Sequence, residues 1–330
     1  MKRNNSGAAL IIVLFVVALA ATLAVEMSSR MMVLVNKNSI LQEHQQAKWY
    51  GYAAEALAKQ ALIQTKKDDD KVVHLKQAWA QEEATFPVDG GTISGKISDL
   101  QGCLNLNAFR AKPENGSADK VPEVHGVFLR LLDKLDEEDT LPIENSQDEL
   151  ADALLDWIDE DDNRRPEGAE EDEYLSREIP YLTANHFLAS ISELRTIKGF
   201  NPLIVERLLP YVCIIPGSDL FEINVNTILP EQASLLAALL DTDTGTANQI
   251  ISEREPEGWT DINKFMSDAN EKSGKKLKKD DKQFVINSEY FQLVANTTFA
   301  DSRFKMTSTM KIKDNKVSIL ARKFGGDVDE

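Results

Sequence analysis

The sequence begins with MKRNNSG at 1–7 and continues with AALIIVLFVVALAATLAV at 8–25, which is eighteen residues without a charged side chain. As an α-helix, this apolar run would measure roughly 27 Å, close to the thickness of the hydrocarbon core of a bilayer. Lys2 and Arg3 precede the run, and basic residues favour the cytoplasmic side of a membrane. We therefore predict a membrane helix over 8–29 with its N-terminus in the cytoplasm and the rest of the chain outside.

A secretory signal peptide is the alternative interpretation, because it also combines basic residues with an apolar run. The run at 8–25 is longer than the apolar core of an ordinary signal peptide, and no A-x-A cleavage motif leads from it into a loop. The helical pattern also continues, with Ile40, Leu41, Tyr50 and Leu57 near a 3.6-residue spacing. One helix is therefore predicted from 8 to about 64, and its outer half needs a surface to pack on.

The composition excludes several classes of protein. The 330 residues are 42% hydrophobic and 28% charged, which suits two or three domains with cores and excludes a wholly disordered chain. Two cysteines, Cys103 and Cys213, cannot form a disulfide framework or a four-thiolate zinc site. The formal net charge of -17 argues against general binding to a phosphate backbone. The sequence has no nucleophile elbow or catalytic triad pattern, so we expect no enzymatic activity.

The negative charge is concentrated at 133–173, where nineteen Asp and Glu face only three basic residues, so that the rest of the chain is almost neutral. The densest part is DWIDEDDNRRPEGAEEDEY at 156–174. Crowded carboxylates repel one another unless a cation lies between them, and Ca²⁺ prefers oxygen ligands in a flexible loop. This segment is therefore a candidate calcium site, with a solvated acidic loop as the alternative.

The spacing of these side chains partly matches an EF-hand loop. If Asp159 is position one, Glu170 is position twelve, and the residues at 161 and 163 take positions three and five. Position six should be Gly but is Arg164, which departs from a true EF-hand. Aromatic residues flank the segment and indicate a folded site. The predicted pool of calcium ligands is Asp159, Asp161, Asn163, Glu170, Glu171 and Asp172.

The remaining patterns predict an α+β fold. Alternation predicts strand and turn at 91–106 and strands at 290–299, 304–312 and 317–324, the last two joined by a turn at Asp314 and Asn315. Helical spacing, with Asp148 as an N-cap, predicts helices at 72–83, 127–135, 150–158, 190–197, 202–209, 230–240, 246–254 and 261–266. Neither β-region is large enough to be a domain alone. We therefore predict a small antiparallel sheet packed on the long helix, with an all-α domain inserted over 109–284.

These features resemble the type IV pilins and pseudopilins, in which a basic leader ending in Gly precedes a membrane helix that becomes the spine of a globular head. The resemblance implies that a prepilin peptidase cuts after Gly7 and leaves Ala8 as a methylated N-terminus. Most of the family carries Glu at the fifth mature position, which is Ile12 here. The chain resembles the K family of type II secretion minor pseudopilins in lacking this Glu and in having the helical insertion. The resemblance also covers the segments DWIDEDD, GAEEDEY, SELRTIKG and INVNT.

The resemblance to the K family implies a domain organisation, a function and a set of partners. The segments would be a leader at 1–7, a transmembrane helix at 8–29, the pilin helix and first β-region at 30–108, an inserted domain with helix-hairpin or SAM-like modules at 109–284, and strands that complete the sheet at 285–330. The protein would lie at the tip of the pseudopilus in the inner membrane, with a periplasmic head that binds Ca²⁺ in its helical domain. It would start assembly and support export of folded proteins. Its implied partners are minor pseudopilins of the I, J and H types, the major pseudopilin, the prepilin peptidase, the inner-membrane secretion platform and exported proteins.

Two further expectations depend on this placement. In the oxidising periplasm, Cys103 and Cys213 are expected to form a disulfide between the sheet segment and the insertion. Two buried free thiols are the alternative, since both cysteines have apolar neighbours. Val33, Ile40 and Leu41 are candidates for packing on the helices of partner pseudopilins, although packing on the protein's own head explains the later ones equally well.

The segment 223–266 supports a second functional interpretation. Its apolar helices on either side of a turn look like the helix-hairpin-helix of membrane-anchored competence DNA receptors. Such hairpins offer backbone amides and neighbouring Lys or Arg to phosphates. Here the turn at 241–245 is DTDTG, in which Asp241 and Asp243 would repel phosphate. A DNA receptor therefore stays an alternative function, and nucleic acid is not among the predicted partners.

Overall fold

The structure is a computed structural model that describes residues 6–81, 84–112, 121–137, 146–275, 277 and 282–325. Most of the predicted leader, 1–5, and part of the acidic segment, 138–145, lie outside the described residues. The helices are α1 Ser6–Asp68, α2 Glu123–Glu137, α3 Gln147–Ile158, α4 Glu171–Leu175, α5 Pro202–Leu208, α6 Ala233–Leu240, α7 Thr244–Glu253 and α8 Ile262–Ser273. The strands are β1 Ala84–Val88, β2 Gly91–Asp99, β3 Leu104–Asn105, β4 Val212–Cys213, β5 Ile223–Asn224, β6 Phe284–Val285, β7 Tyr290–Phe299, β8 Ser302–Lys313 and β9 Lys316–Phe324.

The long helix α1 contains 63 residues and is unbroken, as the continuous helical spacing predicts. Its apolar first half projects from the rest of the molecule, and Ala47 is the first of its described side chains to be fully buried. Among the described residues, one helix, Ala9–Asp68, is long and apolar enough to cross a membrane, and none of its apolar window is buried. The second half of α1 then continues into the globular head.

The head contains a five-stranded sheet in the order β1-β2-β7-β8-β9, with every neighbouring pair antiparallel. The central pairing joins β2, which precedes the helical insertion, to β7, which follows it; Ile93 lies opposite Thr297. The prediction that two distant β-regions form one sheet is confirmed. Asp314 and Asn315 join β8 to β9 with positive φ angles of 50° and 58°, as a tight hairpin turn requires.

One face of this sheet packs on α1. Ala54, Ala58 and Leu62 of α1 belong to the same buried cluster as Phe291 of β7 and Met310 of β8. Small side chains on the helix let the sheet approach closely, and a Cβ atom at Gly51 would lie 2.9 Å from the ring of Phe304. The surface that the outer half of the helix needs is therefore the sheet of its own head.

The helical domain lies between β3 and β6 and has its own core. Phe109, Phe128, Leu154, Leu235 and Phe265 are all fully buried in this core. The helices α2, α3, α5, α6, α7 and α8 lie where the sequence predicts helices. Two predicted helices are partly wrong, because residues Ile191–Thr196 and Pro230–Gln232 form 3₁₀ turns. The first of these begins with Ser190 and Glu193 in a capping box, which satisfies the backbone N–H groups at its N-terminal end.

Two other local predictions are wrong. In the described part of 72–83, the only helical turn is the 3₁₀ turn Ala78–Ala80. Val73 instead donates its backbone N–H to Ile286 at 2.8 Å, and the Gln77 side chain bonds the backbone of Val72 and His74, so the chain is held extended. Asp148 is not an N-cap either, because Ser146 caps α3 by accepting the backbone N–H of Glu149 at 3.1 Å.

The junction between the sheet and the insertion contains both a disulfide and a buried polar network. Cys103 and Cys213 are bonded, with their Cα atoms 5.8 Å apart. The Asp99 carboxylate at the end of β2 accepts hydrogen bonds from Ser288 at 2.5 Å, Thr227 at 2.7 Å and Asn224 at 3.2 Å. Three chain segments therefore meet at one side chain, and this contact sets where the insertion leaves the sheet.

Candidate functional site

The acidic segment forms a twelve-residue loop between two helices. Because α3 ends at Ile158 and α4 begins at Glu171, the loop comprises 159–170. Asp159 is the C-cap of α3 and donates its backbone N–H to Leu155 at 2.9 Å, while Glu170 is the N-cap of α4. The two residues that the sequence places at positions one and twelve are thus the first and last residues of the loop.

Three carboxylates of this region are withdrawn from water. Asp156 lies in the last turn of α3 among buried apolar neighbours and is 0% exposed. Glu170 is 4% exposed, and the Asp159 side chain is largely covered. A buried carboxylate is costly unless hydrogen bonds or an opposite charge stabilise it. The contacts of these three groups therefore decide what the loop can do.

Hydrogen bonds satisfy only part of this cluster. Asp156 accepts the backbone N–H of Arg165 at 3.1 Å through Oδ2, but its Oδ1 has no hydrogen-bond partner. Oδ1 of Asp159 and both carboxylate oxygens of Glu170 are also buried without one. The Arg165 guanidinium lies 3.6 Å from Asp156 Oδ1 and 3.6 Å from Asp159 Oδ2, which is longer than a hydrogen bond. Arg165 thus lies beside two of the three buried carboxylates, and neither oxygen of Glu170 has a hydrogen-bond partner.

The pKa values of these carboxyls reflect the shortage of hydrogen-bond donors and positive charge around them. Burial, followed by the charges of Asp156 and Asp159, raises the pKa of Glu170 from 4.5 to about 8. Burial and the neighbouring Asp161 and Asp156 raise the pKa of Asp159 to about 7. Burial also raises the pKa of Asp156 to about 6, although contacts with Arg165 oppose the shift. The folded loop is therefore unfavourable for three ionised carboxylates at neutral pH.

Gly168 lets the loop close over these groups. A Cβ atom at this position would lie 1.9 Å from Oδ2 of Asp156 and 2.8 Å from its Cγ. Because Asp156 is held in a helix and fully buried, it cannot move away from such a contact. A residue without a side chain is consequently required where the loop returns toward α4.

The donor set fits a hard divalent cation. Among the described residues, no three His, Cys, Asp or Glu side chains converge as a fully formed metal site. In and beside the loop, the buried oxygens without hydrogen-bond partners nevertheless belong to Asp156, Asp159 and Glu170, joined by Oδ1 of Asn185. Carboxylate and amide oxygens are what Ca²⁺ prefers. These residues could hold the ion once it draws them together.

The other predicted ligands have different surroundings. Asp161 and Asn163 are exposed, and the Asp161 carboxylate accepts the backbone N–H of Asn163 at 2.9 Å. Glu171 and Asp172 are exposed in the first turn of α4, where negative charge stabilises a helix. The structure thus brings Asp159 and Glu170 of the predicted pool to the buried cluster and leaves these four at its edge.

Sequence reasoning missed Asp156. It precedes Asp159 by three residues, a spacing that places two side chains on one face of a helix end. That spacing was the available signal, but counting an EF-hand loop from Asp159 excludes every residue before it. The third buried carboxylate comes from the helix and not from the loop.

The turn at 241–245 does not present free amides to a phosphate. Asp243 is the N-cap of α7, and its carboxylate accepts the backbone N–H of Thr246 at 2.8 Å and its hydroxyl at 2.7 Å. Asp241 ends α6 and forms an ion pair with Lys275. One carboxylate therefore caps a helix and the other pairs with a lysine, at the position where a DNA-binding hairpin offers its backbone.

Helix α1 carries the residues predicted for processing and assembly near its start and along its exposed half. Gly7 and Ala8 lie in the first turn of α1, and the Ile12 side chain is exposed. Val33, Ile40 and Leu41 are exposed as well, so these three do not pack on the protein's own head. They lie on the part of α1 that is open to other helices.

Comparison with known proteins gives a single family. The family model of type II secretion system protein K matches residues 102–217 and 223–287 in two parts. The type II secretion system protein K of Aeromonas hydrophila is 36% identical, and that of Klebsiella pneumoniae is 33% identical, each over 98% of both chains. These relatives are components of a secretion apparatus, and the present chain has a role in type II secretion.

A solved structure shows the same fold. A chain from the crystal structure of the GspK-GspI-GspJ complex of the enterotoxigenic Escherichia coli type 2 secretion system matches with a TM-score of 0.76 and 32% identity. The match covers 88% of the present chain and 100% of the solved one. The predicted α+β architecture, a long N-terminal helix on an antiparallel sheet with a helical domain, is thereby confirmed. By sequence and by fold, the chain belongs to the type II secretion system protein K family.

Proposed function

We propose that the chain is a minor pseudopilin at the tip of the type II secretion pseudopilus, where it starts assembly and supports export of folded proteins across the outer membrane. The observation that carries the proposal is the single helix α1, whose apolar half is exposed and whose other half forms the spine of the head. Such a helix can remain in the inner membrane before assembly and pack between similar helices afterwards. The head would then lie in the periplasm.

The N-terminus fits a subunit with no neighbour above it. Cleavage after Gly7 by a prepilin peptidase would leave Ala8 as the methylated first residue and Ile12 as the fifth. A carboxylate at that position needs a partner, because an unpaired charge within a bilayer costs about 2.5 to 3.5 kcal/mol by insertion measurements. Ile12 requires none, so the helix can occupy the end of a filament.

The size of the inserted domain supports the same position. The residues between β3 and β6 form a helical domain with its own core beside the sheet. Repeated along a filament, a domain of this bulk would crowd neighbouring heads, whereas the end of the filament leaves it free. The exposed Val33, Ile40 and Leu41 would form the seam with partner helices below.

The proposed partners follow from the same arrangement. The similar solved chain comes from a complex with GspI and GspJ, so minor pseudopilins of the I and J types are proposed here, together with the H type and the major pseudopilin. The prepilin peptidase and the inner-membrane secretion platform would act before and during assembly. Exported proteins would meet the head.

Calcium is proposed as the resident ion of the acidic loop. Asp156, Asp159 and Glu170 would hold it, with the nearby Asp161 carboxylate and the Asn185 amide oxygen as further donors. The ion would supply the positive charge that three buried carboxylates lack, while Arg165 orients the aspartates. Calorimetric titration of the full chain in detergent with Ca²⁺ should give a binding heat, and a titration without heat would contradict the site.

The assembly role is tested by complementation. In a strain that lacks this chain, we expect secretion through its type II system to fail and the wild-type chain to restore it. Ile12→Leu should restore secretion equally, whereas Ile12→Glu should lower it about tenfold or more, because the carboxylate finds no partner at the tip. Normal secretion without the chain, or full rescue by Ile12→Glu, would contradict the proposal.

A further inference from the structure

The segment that follows the acidic loop holds apolar side chains out in water. Ile179 is 78% exposed, Leu182 is 60% exposed and Leu175 is about half exposed. We call these three residues the apolar loop. In the described part of the inserted domain, the other large apolar side chains that are exposed are Val121 and Leu203, so this short segment concentrates the apolar surface.

The apolar loop is braced at its centre. The Arg177 guanidinium lies 4.8 Å from the ring centre of Tyr174 and 5.4 Å from that of Tyr181. Tyr181 also donates its hydroxyl to the backbone carbonyl of Thr196 at 2.7 Å. Trp157 closes the stack with its ring 5.0 Å from that of Tyr174. In sequence, Ile179 lies between Arg177 and Tyr181, and both of these side chains are held by the contacts above.

The far end of the apolar loop is fastened as well. Asn185 has a positive φ of 43°, in the left-handed region that Asn adopts more readily than most residues. Its backbone N–H bonds the carbonyl of Trp157 at 3.1 Å, and its side chain donates to Asp162 at 3.0 Å. A rigid apolar surface loses little entropy on association, which suits it to binding a partner.

Acidic side chains flank the apolar loop at both ends and next to its centre. Glu178 is exposed directly beside Ile179, Glu171 is exposed in the first turn of α4 four residues before Leu175, and the exposed Asp162 accepts the hydrogen bond from Asn185 at the far end. A complementary surface would place an apolar recess against the three apolar side chains and lysines or arginines against the rim. The charge pattern therefore specifies the chemistry of the partner.

We propose that the apolar loop docks a folded exported protein whose surface offers an apolar recess bordered by lysines or arginines. This inference rests on the proposed secretion function and adds a location to it. The residues that contact this segment and hold it in place, Trp157, Thr196 and Asp162, belong to the inserted domain. The surface proposed for other pseudopilins, with Val33, Ile40 and Leu41, lies on the exposed half of α1 and not on this loop. The apolar loop is consequently free to meet cargo while the helix is packed.

Photocrosslinking with the full chain in its own secreting cells tests the contact. A photoreactive amino acid replaces Ile179 or Leu182, and the control is Leu203, which is 58% exposed on α5. We expect crosslinks at the first two positions to proteins that also appear in the culture medium, and none at the control. Crosslinks to another pseudopilin, equal crosslinks at all three positions, or no crosslinks at 179 and 182 would overturn the proposal.

Substitutions give an independent readout. The pair Ile179→Asp and Leu182→Asp should lower secretion about tenfold, as removal of a binding hot spot does, whereas Leu203→Asp should leave it unchanged. Glu178→Lys should reduce the crosslinks at 182, and the exposed Glu206→Lys on α5 is its matched control. All five side chains are exposed, so thermal unfolding should stay at the wild-type temperature.

The outcomes separate this inference from the function it rests on. If the variant with Ile179→Asp and Leu182→Asp supports normal secretion in a strain that needs the chain, docking at the apolar loop is wrong and the tip function stands. If the pair no longer copurifies with other minor pseudopilins, the loop serves assembly and the cargo proposal is overturned. If a strain without the chain secretes normally, the proposed function itself fails.

Discussion

Buried carboxylates occur in both halves of the molecule, and each half surrounds them differently. In the helix-and-sheet half, Glu55 of α1 is 3% exposed and accepts hydrogen bonds from Arg322 at 2.6 and 3.0 Å and from Ser308 at 2.9 Å. Lys59 adds an ion pair at 2.8 Å. In the inserted domain, Glu170 is equally buried, yet neither of its oxygens has a hydrogen-bond partner.

The pKa values of the two groups therefore move in opposite directions. Burial raises the pKa of both carboxyls. At Glu55, hydrogen bonds from Arg322, Lys59 and Ser308 together outweigh burial and lower the pKa from 4.5 to about 2. At Glu170, neighbouring carboxylates add to burial and raise the pKa to about 8. The helix-and-sheet half thus supplies its own counter-charges, whereas the acidic loop leaves buried carboxylate oxygens without hydrogen-bond partners.

The largest expected effect concerns the bond that joins the two halves. Replacing Cys103 and Cys213 by Ser opens a loop of 110 residues, which in the chain-entropy model costs about 4 to 5 kcal/mol. Denaturant unfolding of the full chain in detergent, with and without the substitutions, measures this loss. Alkylation of the unreduced wild type should add no mass, and two adducts would show that the bond does not form in the cell.

Calcium should act on the inserted domain alone. At a concentration one hundred times its dissociation constant, the ion is expected to raise the free energy of unfolding by about 2.7 kcal/mol. Glu170→Gln should lose this gain, whereas Glu206→Gln, an exposed residue on α5, should keep it. Thermal unfolding in Ca²⁺ and in chelator measures the difference, and an undiminished gain in Glu170→Gln would remove Glu170 from the site.

Without metal, the pH dependence of stability tests the contrast between the well-partnered Glu55 and Glu170, whose oxygens have no hydrogen-bond partner. The pKa of Glu170 is raised from 4.5 to about 8 in the fold, so folding takes up a proton. The favourable contribution of Glu170 to the free energy of unfolding is therefore present below pH 4.5 and is lost as the pH rises toward 8. In chelator at neutral pH, Glu170→Gln should therefore unfold at the wild-type temperature or above it. A lower temperature would mean that the ionised carboxylate has a favourable partner.

Closing the acidic loop should depend on Gly168. Gly168→Ala is expected to destabilise the chain by about 2 kcal/mol, because its Cβ would overlap the buried Asp156 carboxylate. Gly126→Ala is the matched control, since it has room in the middle of α2 and should stabilise the helix by about 0.5 to 1 kcal/mol. Denaturant unfolding checks both, and equal effects would show that the loop adapts freely.

The smallest expected effect concerns the helix-and-sheet half. Glu55→Gln should cost about 1 to 2 kcal/mol, since it leaves the partly exposed Arg322 without its partner. With the pKa lowered from 4.5 to about 2, the contribution of Glu55 is present above pH 4.5 and is lost as the pH falls toward 2. Unfolding from pH 2 to 7 measures this, with Glu43→Gln as a control expected to stay within about 0.5 kcal/mol.

The sequence predicts the helix-and-sheet half well, because strong periodic signals determine it. An uninterrupted helical pattern predicts α1, and alternation predicts β7, β8 and β9 with the turn at Asp314 and Asn315. The strand β1, Ala84–Val88, was missed. It is an edge strand that contains Pro87, and its described side chains are mostly exposed, so it shows no alternation between buried and exposed positions.

The candidate site could be predicted only in part. Composition locates the acidic cluster, and spacing identifies Asp159 and Glu170 as the ends of its loop. Burial of Asp156 depends on how α3 packs, and the need for Gly168 depends on where the loop returns. Both are tertiary contacts that local periodicity does not encode. The same holds for 72–83, where pairing with Ile286 overrides a helical pattern.

The claim that the chain is a processed minor pseudopilin is tested most directly by sequencing its N-terminus. Protein purified from inner membranes should begin at Ala8, with a methylated amino group, because the proposed cleavage after Gly7 would release α1 for assembly. Mass spectrometry of the N-terminal peptide reports both features. A chain that retains Met1, or one that is cut near Met27, would contradict the account.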